Sequence, residues 1–111
     1  MISDWSGISL EYAFTFERPV IFIDVPKKVL NPNWSDIALE PIETSIRVKI
    51  GHIVSPNNLE EILDLVKILD KNTQNIGERI KEIRTKTVYN SGESAKIGAE
   101  HIRQLYNDSK N

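Results

Sequence analysis

Nine residues near the amino end, Ser3-Asp4-Trp5-Ser6-Gly7-Ile8-Ser9-Leu10-Glu11, have types and spacing that could do chemistry. They join an apolar stretch to the start of a helix. The first N–H groups of a helix lack intrahelical partners, and the helix dipole favours an anion there. Small residues let a phosphate come close: Ser6 adds a hydroxyl donor and Gly7 presents no side chain. Glu11, about one helical turn further on, is placed to accept bonds from ribose hydroxyls. The same residues also read as plain structure, with Asp4 or Ser6 as the N-cap, Gly7 as tight packing and Glu11 as a solvated helix residue. Spacing alone leaves both readings open.

The remaining polar residues form no second constellation. His52 and His101 share no ligand spacing and the chain has no cysteine, so no metal site and no cofactor are expected. Glu60, Glu61 and Asp64 mix with Lys67 and Lys71 along one helical segment, the pattern of a solvated face. Lys27-Lys28, just past Asp24-Val25-Pro26, read as solvated loop lysines, with contact to an anionic donor or acceptor as the alternative. Neither a nucleophile elbow nor a Walker-type loop occurs.

The elements that must position the first segment follow from hydrophobic pattern. Met1-Ile2-Ser3 starts abruptly and reads as the last residues of a strand. Ile8 to Phe16 reads as a helix, apolar on nearly every side and so buried on most faces. Arg18-Pro19 stops it. Val20 to Ile23 is β-branched and aromatic without alternation, which predicts a strand covered on both faces. Val25 to Pro41 holds three prolines and two asparagines, an ordered loop that Trp34, Ile37 and Leu39 would pin to the body. Ile42, Ile46 and Ile50 predict a short helix closed by Gly51, and His52 to Val54 a strand. Ser55-Pro56 reads as N-cap and first helical position of a helix to about Lys71. A second helix spans Gln74 to Arg84, and Ser91 caps a last one to about Asn107.

Strands alternating with helices imply crossovers and a parallel sheet. The expected fold is α/β, a partial Rossmann-like parallel sheet with a helical carboxyl-terminal tail. Residues 1–55 form the strand-helix-strand nucleotide-binding portion with its loop, and residues 56–111 form helices packing on the same domain. At 111 residues the chain is one domain or a piece of one. A net charge of −2 argues against a nucleic-acid partner. No apolar run approaches the roughly 20 residues of a membrane span, and no signal peptide precedes the first element, so a cytoplasmic location is expected. A short sheet leaves apolar surface around Phe14, Val20 and Phe22 unshielded, which predicts a homo-oligomer.

Asp4-Trp5-Ser6-Gly7-Ile8 with Glu11, followed by Glu17-Arg18-Pro19-Val20-Ile21-Phe22-Ile23 and Asp24, resembles the donor-binding half of GT-B-fold transferases. The variant it is most similar to is the CDP-glycerol glycerophosphotransferase-like group of cell-envelope polymer synthesis. Those proteins carry an Asp-x-Ser-Ser/Gly turn, an apolar helix, a Lys/Arg-Pro step into an apolar strand, and an aspartate. Val88-Tyr89-Asn90-Ser91-Gly92-Glu93-Ser94-Ala95 also resembles the segment leading into their terminal helix. The non-hydrolysing UDP-N-acetylglucosamine 2-epimerases have a similar Asp-Ser-Gly-Gly-Ile turn with a downstream glutamate.

The resemblance implies a fragment of a GT-B donor domain. Its role would be the nucleotide-diphosphate donor-binding portion of a glycosyl- or glycerophosphotransferase in cell-envelope polysaccharide or teichoic-acid-like synthesis. By the resemblance, Ser6 and Gly7 hold the pyrophosphate of a CDP- or UDP-linked donor, Glu11 holds the ribose and Asp4 shapes the turn. Trp5 stands where many relatives have Tyr or Ser. The family's acceptor domain and catalytic histidines have no counterpart in this sequence, so the chain alone is expected to be catalytically silent. A longer parent would lie in the cytoplasm or at the inner face of the membrane. Two other readings stay open: a fragment of a UDP-sugar 2-epimerase-like enzyme, and a non-catalytic helical interaction or oligomerisation module.

Overall fold

The computed structural model describes residues 1–27, 31–33, 36–37 and 39–110. Lys28 and Trp34, which figure in the sequence reading of the loop, lie outside the described residues. Three short apolar runs form strands: β1 (Ile2–Ser3), β2 (Val20–Ile23) and β3 (Gly51–Val54). Five α-helices accompany them among the described residues: α1 (Ile8–Phe16), α2 (Ile42–Ile50), α3 (Ile62–Lys71), α4 (Thr73–Thr87) and α5 (Ser94–Asp108). The strands are parallel in the order β1-β2-β3. Ile2 pairs with Ile21, and β2 runs beside β3 from Val20–Gly51 to Ile23–Val54.

Parallel neighbours need a crossover, and α1 and α2 supply it. The strands advance in one direction, so right-handed crossovers put both helices on the same face. The core shows that arrangement. Ala13 of α1 and Ile46 and Ile50 of α2 pack in one cluster with Val20 and Phe22 of β2 and Ile80 of α4. Val20 and Phe22 share a face because strand side chains alternate. Ile21 is buried on the other face, where it lines a cavity of about 170 Å³ with Val66 and Leu69 of α3. The unbroken apolar run of β2 thus corresponds to burial on both sides.

Two close approaches fix the packing. A Cβ on Gly51 would stand 1.8 Å from the Val20 carbonyl oxygen, so no other residue fits where α2 turns into β3 beside β2. Gly77 brings α4 against the end of α1, where an added Cβ would lie 3.0 Å from the Glu17 carbonyl oxygen. Arg84, about two turns further along α4, then closes the end of α1. Its guanidinium donates to the Phe14 carbonyl and, at 2.9 Å, to the Glu17 carboxylate. Glu17 itself takes the left-handed conformation that ends the helix (φ 53°), so the chain reverses into Arg18-Pro19 and β2.

Several expectations are corrected. Only Ser9 and Ala13 of α1 are buried, whereas Ile8 and Phe16 are 56% and 63% exposed. One face of α1 meets the sheet and α4, and the other turns outward. Val20 and Phe22 are fully covered because Ile80 closes over them, and Phe14 is half-buried. Those residues therefore give no reason for self-association. Ile37 and Leu39 are exposed and pin nothing. Ser55 does not cap a helix at Pro56. Its hydroxyl accepts the Asn57 N–H at 3.2 Å in a local turn, a 3₁₀ turn follows at Leu59–Glu61, and α3 begins at Ile62. Ser91 does not cap α5, because Asn90 and Gly92 both have positive φ (55° and 84°) and hold the chain in a turn until Ser94.

The outline is long and thin, 64 × 37 × 17 Å, with a radius of gyration of 18.2 Å. A compact chain of this length would have about 13 Å. The cause is the tail: no residue of α3 or α5 is fully buried. No described helix is long and apolar enough to cross a membrane.

Candidate functional site

The turn between β1 and α1 is built from its own short polar side chains. Asp4 Oδ1 accepts the Ser6 N–H at 3.0 Å, an Asx turn. The Ser9 hydroxyl and the Ser9 N–H both donate to the Ser6 carbonyl, at 2.7 and 3.2 Å. The amides of Leu10 and Glu11 bond to the Gly7 carbonyl at 3.0 and 3.4 Å. Gly7 and Ile8 are exposed, and their N–H groups have no hydrogen-bond acceptor among the described residues. These two amides are the open donors at the head of α1. Gly7 has ordinary helical angles (φ −59°, ψ −26°), and nothing lies within 4 Å of where a Cβ would be. Packing does not demand glycine here.

A residue that the sequence reading passes over completes the site. Arg47 of α2 is 3% exposed. Its guanidinium donates to Asp24 Oδ1 at 3.2 Å, at the carboxyl end of β2. It stacks over the Trp5 ring at 3.8 Å and lies 5.1 Å from the Phe22 ring. Arg47 Nε and Nη2 are buried without any hydrogen-bond partner among the described residues. Buried charged donors are normally paired, because an unpaired one forfeits its hydration without return. Trp5 is held for this stacking by its own indole N–H, which donates to the Val25 carbonyl at 2.8 Å. Lys27 adds a second cation, 5.5 Å from the Trp5 ring, and its ammonium donates to Thr44 Oγ1 at 3.3 Å.

Asp4, Trp5, Ser6, Ser9, Glu43 and Arg47 line one small cavity of about 10 Å³, room for a single water-sized atom. Asp24 pairs with the guanidinium, and Asp4 and Glu43 line the same cavity as Arg47, so the local field is mixed and not purely positive. Of the residues singled out by sequence, Asp4 and Ser6 come together here with Arg47. Gly7 follows directly and presents its amide at the surface. Glu11 is not brought to the same place. Two residues are a 200° rotation about a helix axis, so Glu11 points away from Ser9. It lines a separate, larger cavity of about 350 Å³ with Met1, Ile8, Tyr12, Thr15 and Phe16.

The strand order does not reverse among the described strands, so there is no switch-point crevice of the kind that doubly wound sheets offer to ligands. No cluster of three or more His, Asp or Glu residues among those described is disposed to hold a metal ion. Sequence did carry one weak sign of Arg47: with Glu43 it forms an i, i+4 pair flanking the Ile42-Ile46-Ile50 stripe. Such pairs are commonplace on exposed helix faces, and nothing local says that this one turns inward. Compared with protein-family models, with curated proteins and with solved structures, the chain finds no match.

Proposed function

We propose that the chain binds the diphosphate of a nucleotide-activated donor at the head of α1, as the donor-binding portion of a GT-B-type, Rossmann-like transferase of cell-envelope polymer synthesis. The observation that carries this reading is the buried Arg47, whose two donors find no partner among the described residues and which lines one cavity with Ser6, at the turn that leads to the open amides of Gly7 and Ile8. Anions are bound by such combinations of a helix N-terminus and a guanidinium. In this reading one phosphate oxygen occupies the small cavity that Ser6 and Arg47 line, and the rest of the phosphoryl group takes the Gly7 and Ile8 amides and the Ser6 hydroxyl. These donors are fixed before the ligand arrives. They would stabilise charge that grows on the diphosphate as the nucleotide leaves.

Glu11 takes the ribose only if the donor runs over Ile8 and around the helix, where the larger cavity begins. The reading therefore assigns diphosphate recognition to Ser6, Gly7, Ile8 and Arg47, and the sugar contact to Glu11. The test is calorimetric titration of CDP, UDP and inorganic pyrophosphate into the chain and into the Arg47→Met and Glu11→Ala variants. Binding of CDP that is lost in Arg47→Met and weakened in Glu11→Ala supports the assignment. A preference for UDP moves the reading to the epimerase-like enzymes. Absence of binding by all three ligands overturns it.

A further inference from the structure

We propose that α5 is a dimerisation arm that pairs antiparallel with α5 of a second copy of this chain. The inference is independent of the donor site. It starts from surface area. A globular monomer of 12.7 kDa exposes about 6,200 Å², whereas this chain exposes 8452 Å², an excess of about 2,200 Å². Obligate homodimers bury about 2,000–5,000 Å² in total, or about 1,000–2,500 Å² from each chain. The excess lies within that range.

Part of the exposed apolar surface is ordered along α5. Ala95, Gly98, Ala99, Ile102, Leu105 and Tyr106 fall within about 120° of the helix circumference, by the rotation of 100° per residue. The last three are exposed at 70%, 70% and 57%. Lys96, Glu100, Arg103 and Asp108 lie off the stripe. They are two cations against two anions, so two copies of the helix meet without net repulsion.

The stripe is graded in size, and the grading selects the partner. Small residues occupy its amino-terminal half and bulky ones its carboxyl-terminal half. When two such helices run antiparallel about a two-fold axis, Ala95 and Ala99 of each lie opposite Tyr106 and Ile102 of the other. Bulk then fills space on both sides of the axis. A parallel pair would set bulk against bulk and small against small, leaving a gap at one end and crowding at the other. Isologous contact of this kind makes the surface complementary to itself and closes the assembly at two subunits.

Sedimentation equilibrium across the micromolar range is the test. The wild type is expected at about twice 12.7 kDa. Ile102→Glu with Leu105→Glu should sediment as a monomer with unchanged circular dichroism, since neither side chain contributes to the core. Ala99→Leu keeps a strong helix former but overfills the small half, and should weaken the dimer at least tenfold. Leu63→Glu on α3, at a residue 72% exposed, is the control for loss of any exposed apolar side chain and should remain dimeric. A wild type that stays monomeric overturns the proposal. So does a dimer that survives the double α5 substitution, or one that Leu63→Glu disrupts equally.

Discussion

Arg47 brings a charge into the interior against its solvation. An unpaired buried donor costs about 1–3 kcal/mol, and more when charged. Stacking on Trp5 returns about 2 kcal/mol. Methionine matches much of the length of arginine and needs no hydrogen bonds. Its ion-pair partner Asp24 is half exposed and stays solvated without it, so the replacement leaves no buried charge unpaired. Arg47→Met is therefore expected to leave the thermal midpoint unchanged or raised while abolishing CDP binding. A thermal scan and a titration on the same sample check both halves. If stability falls while binding survives, Arg47 is an architectural residue and the donor site lies elsewhere. Asp4 separates two roles more finely. Asparagine keeps the acceptor for the Ser6 N–H but removes a negative charge beside the bound anion. At about 1 kcal/mol for unit charges 4 Å apart in water, Asp4→Asn should tighten CDP binding roughly fivefold. Weaker binding by the asparagine variant would make the carboxylate a direct ligand contact.

At the scale of elements, the junction of α2 with β3 is the least forgiving point. Gly51 is extended, so its backbone conformation is open to any residue, and the obstacle is the Val20 carbonyl oxygen 1.8 Å from an added Cβ. That oxygen belongs to the central strand and cannot swing aside. Gly51→Ala is expected to destabilise by about 3 kcal/mol or more, read as a lower denaturant midpoint in urea. A loss below about 1 kcal/mol would mean that β3 can shift without disturbing the core. The elements themselves were legible where one pattern decides. The continuous run Val20–Ile23, the nine residues Ile8–Phe16 before Arg18-Pro19 and the isoleucine spacing of Ile42–Ile50 each specify their own boundaries. Legibility failed where a partner decides. Ser55 and Ser91 have the side chains of caps, but one closes a local turn and the other stands between two left-handed residues. The inward turn of Arg47 depends on Trp5 and Asp24, which come from two other elements. Ile42 belongs to the same stripe as Ile46 and Ile50, yet it is exposed. The turn residues Asp4 and Ser6 could be picked out as a group because their bonds are local, whereas the guanidinium behind them could not.

Over the whole molecule, burial is uneven, and stability should follow it. The cluster of Ala13, Val20, Phe22, Ile46, Ile50 and Ile80 joins β2, α1, α2 and α4 into one cooperative body. α5 contributes no buried residue to it. Amides deep in a core exchange only on global opening, while helices with few tertiary contacts open locally. Hydrogen exchange in dilute solution is therefore expected to show the slowest amides in β2 and α4 and near-unprotected amides along Ile102–Asp108. Raising the protein concentration should slow exchange in α5 selectively, because dimerisation stabilises what it covers. Protection of α5 equal to that of α4 at high dilution would show that the arm is held by its own chain.

The Trp5 indole, clamped by the Val25 carbonyl and faced by a guanidinium 3.8 Å away, is also an optical probe built into the fold. A cation near an indole shifts its emission through the electric field across the ring. An anion arriving at Arg47 would weaken that field or move its source. Trp34 is the only other tryptophan of the chain, so a Trp34→Phe variant leaves Trp5 as the only emitter. Titrant-dependent change in its emission colour would then follow occupancy of the site directly, with no label attached and no turnover required.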